Sequence, residues 1–166
     1  MAGAKRLMIE HKKIMKAAEE QRDDLKFIFE LPNPDVLSVM HFKITQLTEK
    51  RDTEVEKQMD KLKIKYLWIE MRFPDSYPFK PPFVRLITPF FKYHTGHITQ
   101  GGSFCTEALT DEKWIPTTDI YSLLLQIVIL INDGGGIIDE EKYSHQYSLD
   151  SAKTSFAYAK AAHGWK

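Results

Sequence analysis

The segment Phe73-Pro74-Asp75-Ser76-Tyr77-Pro78-Phe79-Lys80-Pro81-Pro82-Phe83-Val84 restricts the fold more than any other stretch of this chain. Its four prolines, Pro74, Pro78, Pro81 and Pro82, remove four backbone donors and fix four φ angles. No central strand survives that loss. The segment must therefore be a stiff wall between a strand that ends near Phe73 and one that begins near Val84. It is a structural turn in any reading. It can also present Phe79 as an exposed apolar anchor for a partner.

The 166 residues suit one domain spanning 1–166, and 43% apolar with 12% aromatic residues is enough to fold rather than stay disordered. Lysine plus arginine number 23, as do aspartate plus glutamate. A formal charge of zero gives no general pull toward nucleic acid or an acidic membrane, so any partner must be held by local patches. The single cysteine, Cys105, excludes an intramolecular disulfide and any cysteine-paired metal site. Residues 1–22 are charged and lack the apolar run of a signal peptide. The apolar stretch 123–131 is broken by Gln126 and is too short for a bilayer. The expected setting is the cytosol or the nucleus.

Residues 4–25 read as a helix with a loose stripe of Leu7, Ile14, Ala18 and Leu25 and a basic end of Lys5, Arg6, His11, Lys12, Lys13 and Lys16. Strands are expected at 26–31, stopped by Pro32-Asn33-Pro34, and at 36–47, 62–73 and 84–88. The charged run 48–61 reads as a solvated loop or a short helix. A buried helix is expected at 120–131, capped by Asp119 and ended by the glycine run 134–136. A last helix runs from about 149 to 163, with Gly164 as its C-cap. These elements make an α+β domain in which helices flank one antiparallel meander.

Cys105 sits in Gln100-Gly101-Gly102-Ser103-Phe104-Cys105-Thr106-Glu107. A free cysteine is most often a small buried hydrophobe. Its company here, a small-residue approach and a following carboxylate, makes it a candidate nucleophile instead. A hydrolase would pair it with His94, His97 or His145, but that needs a base oriented by a third group, and no such pattern is evident.

The proline wall resembles the F-P-x-x-Y-P-F-x-P-P signature of ubiquitin-conjugating enzymes. Gly102-Ser103-Phe104-Cys105 resembles their G-S-I-C run, and Trp114-Ile115-Pro116 with Ile120, Leu123 and Leu124 resembles their W-S-P segment and following helix. The family's H-P-N triplet is replaced by Thr95-Gly96-His97. That departure, with Tyr147-Ser148-Leu149 and His163-Gly164-Trp165, resembles the Q subfamily. The long N-terminal extensions of that subfamily are not in these residues, which read as its conjugating core alone.

The resemblance implies a ubiquitin-conjugating fold: N-terminal helix, four-stranded meander, cysteine loop, central helix and C-terminal helix. It implies that Cys105 takes ubiquitin from the activating enzyme as a thioester and passes it to a substrate lysine amine, with a RING or HECT ligase. His97 would stand in for the family's asparagine as oxyanion donor or loop brace. Glu107, Asp133 and Asp139 are candidates for helping the acceptor amine lose its proton. Lys5, Arg6, Lys12 and Lys13 would meet the acidic ubiquitin-fold domain of the activating enzyme. Phe79, Ile115, Pro116 and Thr117 would dock the ligase, with Ile115 in place of the usual serine. Gly101 and Gly102 would let an incoming C-terminal tail approach the backbone. No metal or organic cofactor is implied, since ATP is spent by the activating enzyme. No basic cluster adjoins Cys105 in sequence, so a modestly reactive thiol is expected; an unperturbed cysteine has a pKa of about 8.5. The alternative is a catalytically inactive variant of the same fold that binds ubiquitin or a partner enzyme.

Overall fold

A computed structural model describes residues 2–166. In chain order the elements are α1 (Ala2–Glu20), β1 (Lys26–Glu30), β2 (Val39–Gln46), α2 (Glu54–Leu62), β3 (Leu67–Arg72), β4 (Phe83–Thr88), a single 3₁₀ turn (Glu107–Leu109), α3 (Ile120–Asp133) and α4 (Leu149–His163). The strands form one antiparallel sheet in the order β1-β2-β3-β4. The architecture is α+β.

Alternation along β2 and β3 sets the register. Met40, Phe42 and Ile44 pair with Met71, Ile69 and Leu67, and all six are buried. A one-residue slip would turn every one of them outward. The same core takes in Leu7 and Ile14 of α1 and Leu123, Leu124, Ile127, Val128 and Ile131 of α3.

Three boundaries differ from the periodicity. α1 stops at Glu20 rather than 25, because Gln21 takes a left-handed φ of 47° and Leu25 is buried from the loop beyond it. β2 begins at Val39 because the Asn33 side chain accepts from the Asp35 N–H at 3.0 Å and holds a turn there. The charged run after β2 contains α2, whose C-cap Lys63 is left-handed, so β3 starts at Leu67 instead of 62. Val55 and Met59, one turn apart, are buried, so that face is not solvated.

α2 is held by a buried carboxylate. Glu56 accepts from Leu47 N–H at 2.8 Å, Thr48 N–H at 3.1 Å, the Thr48 hydroxyl at 2.8 Å and the hydroxyl of the N-cap Thr53 at 2.9 Å. Burial alone would raise its pKa, but these bonds together outweigh it and hold Glu56 below the usual carboxylate range. A second such group, Glu70 on β3, is desolvated yet held far below that range by His41, Arg72 and Arg85. Arg85 also donates to the Tyr147 carbonyl at 2.8 Å. The segment leading into α4 is thereby tied to the centre of the sheet.

Both carboxylates have folded-state pKa values below their unfolded ones. Their stabilisation is therefore complete above the unfolded value, about 4.3, and is lost as pH falls below it. Urea midpoints should fall steadily on acidification below about pH 5. Glu56→Ala should cost about 2–3 kcal/mol at neutral pH, because the Leu47 N–H is left buried without an acceptor. A flat midpoint across the acid range would contradict this account.

Candidate active site

The cysteine loop is a tight turn stitched to β4. Gly102 N–H donates to the Thr99 carbonyl at 3.0 Å, Thr99 N–H to the Ser103 carbonyl at 2.8 Å, and Leu86 N–H to the Gly102 carbonyl at 2.8 Å. Phe104 is fully buried, and the next residue, Cys105, emerges half-buried. Cys105 N–H donates to the His97 carbonyl at 2.7 Å. Burial pushes the thiol pKa up. The resting sulfur is thus a neutral S–H.

The glycines before it do different work from that expected. A Cβ on Gly101 would run into the Ser151 carbonyl and the Ser155 hydroxyl, and one on Gly102, at φ 97°, would lie 2.6 Å from the Tyr147 Cβ. Their missing side chains make room for the chain's own α4, not for an incoming tail. α4 lies directly on the cysteine loop and carries its C-terminal turn to the sulfur. His163 Nε2 stands 3.8 Å from Cys105 Sγ. The His163 ring stacks on Trp165, with centroids 4.5 Å apart and planes at 15°. Gly164 caps the helix at φ 69°, Trp165 N–H donates to the Lys160 carbonyl at 2.9 Å, and the Lys166 carbonyl accepts from Glu112 N–H at 3.1 Å.

His163 is the functional candidate that sequence reasoning missed. Its Gly-Trp cap was visible, but 58 residues separate it from Cys105, and only the path of α4 joins them. His94 packs at a tilt against Tyr93 and His145 packs edge-on to Phe90; both are exposed, and neither bonds to the thiol. His97 has a left-handed φ of 54° and an exposed ring that makes no hydrogen bond among the described residues. Its carbonyl, rather than its ring, braces the cysteine.

The three acids are spread out. Glu107 is exposed at the start of the 3₁₀ turn. Asp133 is the exposed last residue of α3, and the following Gly134 carbonyl accepts from Gly96 N–H at 2.9 Å, which brings this end of α3 against the His97 loop. Asp139 accepts from Glu141 N–H at 3.1 Å and Lys142 N–H at 3.2 Å, so its carboxylate holds a turn. Neither Asp133 nor Asp139 is hydrogen-bonded to Cys105.

Among the candidate partner residues, Phe79 and Ile115 lie next to residues of two hydrogen-bonded loops. Phe79 is 71% exposed and Ile115 61%. Thr117 is exposed and Pro116 half-buried. Trp114 Nε1–H donates to the Pro78 carbonyl at 2.7 Å and so joins the two loops. Lys5, Lys12 and Lys13 project from α1 into solvent. Arg6 does not. Its guanidinium bonds Glu10 at 2.8 Å and the Pro116 and Thr118 carbonyls at 3.2 Å, while Glu10 in turn accepts from Ile120 N–H at 3.0 Å. Arg6 is a strut between α1 and the start of α3.

Among the described residues, no cluster of three or more histidine, cysteine or acidic side chains is placed to hold a metal ion. No helix among them is long and apolar enough to cross a membrane.

A helix, a four-stranded meander, a proline wall and a cysteine loop before a buried helix define the ubiquitin-conjugating class of α+β folds. Comparison with known proteins agrees. A ubiquitin-conjugating enzyme from Plasmodium falciparum superposes with a TM-score of 0.58 over 76% of this chain and 96% of its own, at 21% identity. The family model "Ubiquitin-conjugating enzyme" matches residues 63–136. A Q-like ubiquitin-conjugating enzyme of Drosophila melanogaster is 26% identical over 165 residues, covering 97% of this chain and 52% of the relative. Ubiquitin-conjugating enzyme E2 Q1 of Homo sapiens is 28% identical over 135 residues, covering 77% of this chain and 32% of the relative. The chain therefore spans about half the length of the fly relative and about a third of the human one. Its fold is that of the ubiquitin-conjugating enzymes, and its sequence is similar to members of their Q branch.

Gly101→Ala should test the docking of α4. Overpacking against Ser151 and Ser155 should cost about 1–3 kcal/mol by urea unfolding. An unchanged midpoint would show that α4 does not lie where described.

Proposed function

We propose that this chain is an active conjugating core. Cys105 attacks the ubiquitin thioester of the activating enzyme, expels that enzyme's thiol and holds ubiquitin as its own thioester. A substrate lysine amine then attacks the same carbonyl and expels the Cys105 sulfur. The reading rests chiefly on one observation: the chain's single thiol is half-buried on a loop rather than sealed in the core. A displayed sulfur held by backbone bonds on both sides suits a group that must accept and release a large acyl cargo.

His97 is proposed as a donor to the thioester oxygen as negative charge develops on it, since its ring has no competing partner among the described residues. Asp133, at the end of α3 beside the His97 loop, is the better placed acid for the incoming amine; Asp139 is committed to its turn. Glu107, two residues from the thiol, is the second choice. The activating enzyme is proposed to meet Lys5, Lys12 and Lys13, and a RING or HECT ligase to meet Phe79, Ile115, Pro116 and Thr117. ATP is spent by the activating enzyme, this chain needs no cofactor of its own, and the reaction belongs in the cytosol or nucleus.

The inactive-variant reading is favoured by the absent asparagine and the raised thiol pKa. Charging separates the two. With activating enzyme, ATP and ubiquitin, the wild-type chain should form a reductant-sensitive adduct. Cys105→Ser should give a reductant-resistant one and Cys105→Ala none. Absence of any adduct would decide for the binding module. His97→Ala should leave charging intact and slow lysine discharge about tenfold. Reversing charge at Lys12 and Lys13 should slow charging, and unchanged loading kinetics would remove α1 from that interface.

A further inference from the structure

We propose that His163 is a catalytic residue of this site, the group that takes the Cys105 thiol proton when the sulfur attacks. The inference deepens the conjugating reading and rests on it for the identity of the acyl donor. It begins with geometry. His163 Nε2 is 3.8 Å from Sγ, within reach of a long S–H···N hydrogen bond.

That contact is built rather than incidental. The start of α4 is tied to the sheet by Arg85 through the Tyr147 carbonyl and seated on Gly101 and Gly102. Its far end is capped at Gly164, and the Lys166 carbonyl is bonded to Glu112 N–H. Between these anchors the imidazole plane is set by the stack on Trp165. This arrangement differs from a hydrolase triad, because no carboxylate orients the second ring nitrogen among the described residues.

Chemistry supplies the need. A neutral thiol is a poor nucleophile, and half-burial at Cys105 makes unassisted thiolate scarcer still. No lysine or arginine among the described residues bonds to the sulfur. As Sγ adds to the thioester carbonyl of the activating enzyme, the S–H proton passes to His163 Nε2. As the tetrahedral adduct collapses, the bond to the activating enzyme's sulfur breaks, and that thiolate takes the proton back from the imidazolium. The sum is one thioester and one thiol on each side. In discharge the proton shed by the attacking amine reaches Nε2 through solvent and passes to the departing Cys105 thiolate. The ring is exposed, so it can also exchange that proton with water.

The single cysteine makes the test clean, since a thiol reagent reads only Cys105. Two rates are measured at neutral pH: alkylation by iodoacetamide, and single-turnover ubiquitin transfer from the charged activating enzyme. His163→Ala and His163→Gln should each lower both rates about tenfold, and Trp165→Ala should give a smaller loss in both. Free imidazole should restore a measurable part of the lost alkylation rate in His163→Ala, a rescue that a merely structural role would not give. Rates equal to wild type would overturn the proposal. Faster rates would also overturn it, by showing that the turn only covers the sulfur. A wild-type chain that takes no ubiquitin would overturn the conjugating reading, and the alkylation and rescue results would then decide the thiol–imidazole pair by themselves.

Discussion

Two missing side chains organise the site. Because Gly101 and Gly102 carry no Cβ, the segment from Tyr147 to Ser155 can lie in direct contact with the cysteine loop. α4 then runs from the sheet toward Cys105, and its last turn ends beside the sulfur. A side chain at either glycine would collide with that segment, push it off the loop and part the thiol from its neighbour. Everything distinctive about this site, compared with a bare loop cysteine, follows from that close approach.

The anchoring depends on charge buried in the sheet. Glu70 is flanked across the strands by His41 and Arg85, and Arg85 spends a second N–H on the Tyr147 carbonyl. A desolvated carboxylate is tolerated because three donors face it, and removal of any one would leave buried charge uncompensated. The Arg6–Glu10 pair acts similarly on the other side of the molecule, tying α1 to the backbone that leads into α3. The proposed partner surface and the proposed site thus share one rigid frame, with exposed Phe79 and Ile115 mounted on it.

Much of this was legible in the residues. The proline wall dictated where β3 must end, and Asp119 and Gly164 marked helix ends where they were expected. The rest was hidden for identifiable reasons. α2 was obscured because its buried face consists of only Val55, Met59 and a carboxylate, and Glu56 reads as surface charge until its four donors are seen. Arg6 looked like a free cation because its acceptors are backbone carbonyls more than a hundred residues away. His163 looked like a helix C-cap neighbour because nothing in periodicity reports which loop a helix end will touch.

The account stands on Cys105 Sγ as the acyl-carrying atom. Intact-mass spectrometry after incubation with activating enzyme, ATP and ubiquitin addresses that atom most directly. The predicted product is the chain plus one ubiquitin less one water, labile to hydroxylamine, with the adduct mapping to the peptide that contains Cys105. An unmodified chain, or ubiquitin found only on a lysine when Cys105 is free, would contradict it.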